Sequence, residues 1–251
     1  MNICLFTQEE IGRPLAANDE RASHIKKILH KSVGDSFSAG IIGRSAGRAT
    51  ITRFGVSDAD KTGDIYFDYE AQSDGKPLFP LHMIIGFPRP IQLKRLLRDM
   101  AALGVSSVRL CGTELGEKSY LKASLSDPAE VYKMLLDGTV QAASAHVPKP
   151  CVYPTLAECL DALDADAAPL LLALDNVKPA QSLGAFLRAN PPAGRPVFAA
   201  IGSERGWSPA ERALLEERGF IRLGMGSRIM RTETAATVSA SLILSEMGAL
   251  G

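Results

Sequence analysis

The chain has 251 residues with 28 basic and 28 acidic side chains, so its formal net charge is zero. A hydrophobic fraction of 46% and a charged fraction of 22% suit one or two globular domains and exclude disorder as the dominant state. The longest clean apolar run, Pro169 to Leu174, falls far short of the roughly 20 residues of a membrane span. The opening MNICLFTQEE carries no secretory signal.

Residues 1 to 76 read as a small β-barrel. MNICLF, DSFSAGIIG, GRATITRFGV and DIYFDYEA are β-rich segments separated by Gly/Asp turns, with one helical stretch, ERASHIKKILH, after the first. The turn-rich SDGKP marks a domain boundary near 76–77. Beyond it strands and helices alternate. LHMIIGF is an apolar strand. Pro90 then starts a helix with Leu93, Leu96, Leu97, Met100 and Leu103 on one stripe, and Gly104 ends it. VSSVRLCG is a strand, PAEVYKMLLDGTVQAASA a helix, VPKPCVYP a short strand region and TLAECLDALD a helix. PLLLALD, a buried-type strand, precedes the helix QSLGAFLRAN and the strand PVFAAIG. The alternation predicts an α/β fold with a mostly parallel sheet covered on both faces.

Neutrality conceals asymmetry. Arg21 to Arg53 carries a net charge of +6, Phe54 to Gly75 −5, and Arg89 to Lys122 +4. Two basic stretches in different predicted domains suit an anionic polymer such as RNA; solvated mixed faces are the plainer reading. Cys4, Cys111, Cys151 and Cys159 are scattered without a CxxC, as reduced thiols of a cytoplasmic protein would be. His24, His30, His82 and His146 never reach metal-ligand spacing, so no metal is expected.

Ligands of parallel sheets bind at the carboxyl ends of strands. After PVFAAI comes GSERGWSPAE, in which Gly202 and Gly206 permit unusual backbone angles. Ser208, Pro209 and Glu211 form a capping box that starts a helix, and Gly219 stops it. The loop matches neither phosphate-binding glycine fingerprint, and Glu204 would repel a pyrophosphate. It suits a ribose hydroxyl or a cationic ligand. The next strand, FIRL, ends in a second glycine loop, Gly224 to Ser227, followed by RIMRTET and a helix rich in small residues. Arg228 and Arg231 lie between that loop and that apolar helix.

IGSERGWSPAE and LGMGSRIMRTETA together resemble the paired C-terminal motifs of the 16S rRNA uridine N3-methyltransferases, S-adenosylmethionine enzymes of the SPOUT class. The family pattern is roughly I-G-P-E-G-G-F/L-S-x-x-E, then L-G-x-R-I/V-L-R-T-E-T-A. Gly202, Glu204, Gly206, Ser208 and Glu211 match the first motif; Leu223, Arg228, Ile229, Arg231, Thr232, Glu233, Thr234 and Ala235 match the second. The glycine of the second motif aligns with either Gly224 or Gly226. ASHIKKILHKSVGD and VQAASAHVP resemble further family stretches. Ser203 and Arg205 stand where the family has Pro and Gly, and Asp99 and Ala102 where it has Lys and Glu.

The resemblance implies a SPOUT-type trefoil knot at 77–251 and a PUA-like RNA-binding barrel at 1–76. It implies S-adenosylmethionine held by Leu174, Ile201, Gly202, Glu204, Gly206, Leu223, Gly224, Ser227, Ile229, Met230 and Thr234. Arg231 is the expected catalytic residue, stabilising charge on the uracil oxygens, and Glu233 would orient it or take the proton. Lys26, Lys27, Arg44, Arg48, Arg95 and Arg98 would contact RNA. The expected partners are 16S rRNA or the small ribosomal subunit and a second copy of the chain, with Val238, Leu242 and Ile243 at the dimer surface. The competing readings are a SPOUT methyltransferase acting at another RNA position, a non-catalytic RNA-binding protein that keeps the fold, and an unrelated doubly wound nucleotide enzyme.

Overall fold

A computed structural model describes residues 2–121, 127–163 and 168–250. Lys122, counted in the third charged stretch, and Asp164, at the end of a predicted helix, lie outside the described residues. The chain forms two compact units. One comprises Met1–Pro77 and Thr139–Val147, the other Leu78–Gly138 and Pro148–Gly251.

In the first unit β1 (Cys4–Phe6), β2 (Ser36–Ile41), β3 (Ser45–Phe54) and β4 (Ile65–Ser73) form a sheet in the order β1-β2-β3-β4. β1 runs parallel to β2, and the other pairs are antiparallel. Helix α1 (Glu20–Lys27) starts where Asp19 accepts the Arg21 N–H. Arg21, counted above as a basic surface residue, is instead structural: it bonds Asp19, Glu10 and the Leu5 carbonyl. Phe6, Phe37, Ile51, Ile65 and Phe67 fill the core. Thr139–Val147 belongs here through paired backbone bonds. The Ala145 N–H donates to the Gly75 carbonyl at 2.8 Å, and the Gly43 N–H donates to the Ala145 carbonyl at 2.9 Å. Gly75 has φ +76°, and a Cβ there would lie 2.6 Å from the Ala145 Cβ, so the turn requires glycine.

The second unit contains β5 (Phe79–Gly86), α2 (Pro90–Leu103), β6 (Val105–Cys111), α3 (Lys118–Leu121), α4 (Pro128–Gln141, whose last three residues fall in the first unit) and β7 (Lys149–Tyr153). There follow α5 (Leu156–Asp161), β8 (Leu170–Leu174), β9 (Gln181–Ser182), α6 (Leu183–Ala189), β10 (Val197–Ile201), α7 (Pro209–Glu217), β11 (Ile221–Gly224) and α8 (Thr232–Glu246). Among the described residues the sheet has seven strands, all parallel, in the order β7-β6-β5-β10-β8-β11-β9. β10 lies between β5 and β8, and all five of its residues are buried, as its unbroken apolar run predicts. Helices α5 and α7 cover one face through Leu160 and Leu215; α8 packs on α2, α6, β5 and β10. Small side chains Ala236, Ser239 and Ala240 let α8 approach its neighbours closely, and all three are buried.

Several expectations shift. The helix read through Ala145 stops at Gln141, because the chain there turns into the first unit. Gln181 and Ser182 do not begin a helix; they pair with β11, and Ser182 caps α6. Ile243, assigned to a partner surface, is fully buried within its own chain.

Candidate active site

The loops after β8, β10 and β11 enclose a cavity of about 290 Å3. That is close to the lower end of small-molecule sites, which run to roughly 300–1,000 Å3. Leu174, Ile201, Gly202, Glu204, Gly206, Ile229 and Met230 line it, as do Asp175, Asn176, Ser203, Arg205, Met225, Gly226, Arg228, Thr232 and Ala235.

The loops are braced from behind. The Trp207 indole is buried, and its Nε1 donates to the Leu174 carbonyl at 3.2 Å. Asp175 accepts from Arg212 Nε at 2.6 Å, Arg222 Nη1 at 3.2 Å and the Val177 N–H at 3.1 Å. Burial opposes ionisation of this carboxyl, but those three donors outweigh it and hold its pKa below the usual value. Glu211 completes the predicted capping box at Ser208 and accepts the Glu114 N–H at 2.9 Å, tying the loop after β6 to α7. A Cβ on Gly202 would fall 2.7 Å from the Gly206 carbonyl carbon, so the loop's own closure demands glycine there. Gly206 and Gly226 have φ of +72° and +103°.

Four residues predicted to hold a cofactor lie elsewhere. Leu223 and Gly224 are buried at the end of β11, where a Cβ on Gly224 would lie 2.8 Å from Pro179 Cγ. Ser227 is exposed on the loop outside the cavity wall, and Thr234 faces a neighbouring groove. Of the two candidate glycines, Gly226 lines the cavity and Gly224 does not.

That groove runs between α2 and the start of α8. Its two ends share Gln92, Arg231 and Glu233; Arg89 and Glu204 complete one, Arg95, Asp99, Thr234, Thr237 and Val238 the other. Glu204 thus belongs to both cavity and groove. Its Oε1 accepts the Arg89 N–H at 3.0 Å at the start of α2, so it serves that helix terminus first. Among the described residues Arg231 and Glu233 form no ion pair with each other or with any other side chain.

The predicted RNA contacts divide. Lys27, Arg44 and Arg48 are exposed on the first unit, where Arg48 borders a cavity of about 250 Å3. Lys26 is engaged, donating to the Gly63 carbonyl at 2.6 Å. In the second unit Arg95 is exposed in the groove, while Arg98 pairs with Asp137 at 2.9 Å. Arg109 is drawn inward, donating to the Tyr153 hydroxyl at 2.9 Å, which removes it from the basic surface. Arg205, noted in the sequence as a departure from the family motif, lies in the cavity wall beside Glu204. Asp175 and Gln92 escaped the sequence reading; Asp175 adjoins Leu174, which was singled out, whereas nothing local marks Gln92.

Residues 74–244 match the family model described as an RNA methyltransferase domain. The chain is 40% identical over 255 residues to the ribosomal RNA small subunit methyltransferase E of Treponema pallidum, covering 97% of this chain and 91% of that protein. It is 28% identical to the ribosomal RNA small subunit methyltransferase E 1 of Borreliella burgdorferi, covering 97% of each. The fold matches a ribosomal RNA small subunit methyltransferase E from Neisseria gonorrhoeae, solved bound to S-adenosyl methionine. The TM-score is 0.77 at 19% identity, over 98% of this chain and 97% of that one.

Proposed function

The chain belongs to the RNA methyltransferase family of the ribosomal RNA small subunit methyltransferases E, and from that premise we infer that it methylates N3 of a uridine in 16S rRNA, using S-adenosylmethionine. The observation that carries this reading is a glycine-rich cavity at the ends of β8, β10 and β11, adjoining a groove in which Arg231 and Glu233 form no ion pair among the described residues.

The residues present fit the cofactor. Leu174, Ile201, Ile229 and Met230 offer apolar walls, and the glycines at 202, 206 and 226 leave backbone groups open for reading a nucleoside. Ser203 supports the fit: it is buried against the cavity, and its Oγ has no hydrogen-bond partner among the described residues. When bound, S-adenosylmethionine supplies a methyl group on a sulfonium that is already an activated leaving group. Arg231 would donate to the uracil carbonyl oxygens, which gain charge as the N3 proton leaves. Glu233 would accept that proton or orient Arg231. Trp207 and the Asp175 cluster brace the loops that would hold the cofactor.

The same reading takes residues 1–76 as a PUA-like barrel and 77–251 as a trefoil-knotted domain. The four-stranded sheet and the Leu15–Ile65 bridge support the first; the insertion of β10 between β5 and β8 supports the second. It also takes the active form as a homodimer working on the small subunit in the cytoplasm. Leu242, exposed on α8, supports the dimer. A second reading, methylation at another RNA position, draws on Asp99, which lines the groove and accepts from Thr237 Oγ1 at 3.3 Å. Mass-spectrometric mapping of 16S rRNA from a deletion strain tests both. Loss of one N3-methyluridine, restored by the wild-type gene, supports the first; loss of a different methyl group selects the second.

A further inference from the structure

The acids of the cavity wall already have partners. Asp175 is held by Arg212 and Arg222, and Glu204 is bonded to Arg89. Two cations of the same wall, Arg205 and Arg228, have none: among the described residues neither guanidinium forms an ion pair or a side-chain hydrogen bond. Both residues are exposed, so they stand at the mouth rather than in the floor. A guanidinium without a counter-charge at a cavity mouth is open to an anionic ligand. A sulfonium is a cation and gives neither arginine a counter-charge. The planar guanidinium fork matches phosphate oxygens, and exposure at the mouth suits a strand arriving from solvent better than an enclosed carboxylate.

We propose that Arg205 and Arg228 bind a backbone phosphate of the RNA strand beside the target nucleotide. The proposal rests on the RNA methyltransferase reading above. Arg228 belongs to the motif shared with the family, whereas Arg205 stands where that motif has glycine. The site adds one contact on the cavity side, in addition to Arg231 and Arg95 in the groove.

The test is fluorescence anisotropy with a labelled single-stranded oligouridylate over a potassium chloride series, alongside calorimetric titration with S-adenosylhomocysteine. R205A and R228A should each weaken RNA binding at low salt. Each should make the plot of log affinity against log salt shallower, and the two together by about 0.7, the slope of one single-strand phosphate contact. Affinity for S-adenosylhomocysteine should stay within about twofold, well under the tenfold of 1.4 kcal/mol. R205K should keep the wild-type slope, because charge sets it; R205G, the family-like variant, should match R205A. Melting temperatures check that each variant is folded. Unchanged slopes in folded R205A and R228A overturn the proposal. So does a loss of S-adenosylhomocysteine affinity with unchanged slopes, which would assign the arginines to the carboxylate of the cofactor. If the wild type binds RNA with these slopes and no S-adenosylhomocysteine, the phosphate site stands and the methyltransferase reading falls.

Discussion

The cavity and the neighbouring groove treat their charges in opposite ways. In the cavity wall Asp175 and Glu204 are committed to Arg212, Arg222 and Arg89, and the Asp175 carboxylate is almost wholly buried. In the groove Arg231 and Glu233 are two residues apart, yet they do not pair among the described residues. A bonded charge in a shielded place maintains shape. An open charge beside a cavity is available to a substrate. Substitutions should therefore separate into those that change stability and those that change rate.

Arg231→Ala is the largest expected effect. With no ion pair to abandon among the described residues, it should leave melting temperature and cofactor affinity nearly intact while the single-turnover rate falls by about 10²–10³, as when one transition-state donor is removed. A matching fall in melting temperature would erase the contrast with Asp175. Asp175→Asn should do the reverse. Removing the shielded charge leaves Arg212 without its carboxylate, whereas Arg222 keeps Glu216, and costs about 3 kcal/mol, measurable by denaturant unfolding. Cofactor affinity should fall with stability, since the same loops line the cavity.

Glu204→Gln sharpens the comparison, because Glu204 belongs to both places. The amide oxygen can still accept the Arg89 N–H, so the loss should be about 1 kcal/mol or less, seen as a small drop in melting temperature. Glu204→Ala should cost more. A final, smaller effect lies away from the site. His82 stacks on Phe198 at 4.5 Å, and its Nδ1 lies 2.8 Å from Ser107 Oγ. Burial, with the nearby Arg109 charge, pushes its pKa down from 6.5 to about 4. The unfolded chain therefore takes the proton first. This contribution to stability is whole above pH 6.5 and is lost as pH falls towards 4. His82→Gln should flatten that part of the melting curve against pH; an unchanged acid limb would remove His82 from it.

Local signals were legible in the sequence. Pro90 and Gly104 bound α2 as read, with Gly104 in the left-handed region, and the Ser208–Glu211 capping box forms as its spacing requires. The position of the cavity followed from the strand-end rule and two glycine loops. What failed to show was long-range. Glu204 meets Arg89 across 115 residues, and Asp175 meets Arg212 and Arg222 across 37 and 47. No periodicity encodes such partners. The different surroundings of Gly224 and Gly226 were hidden in the same way: Pro179 packs on the first, and the cavity lies beside the second.

Translation releases a chain in order, and the first unit includes residues that emerge late. Gly75 and Ser144 are hydrogen-bonded across 69 residues. At about 5–20 residues per second, the wait between their appearances is roughly 3–14 s. Throughout it the Gly75 carbonyl and the Gly43 amide have no Ala145 to meet, and the four strands stand without their last segment. The ribosome-bound intermediate therefore presents an unfinished N-terminal unit to chaperones and proteases, and expressing Met1–Pro77 on its own would make that unfinished state permanent.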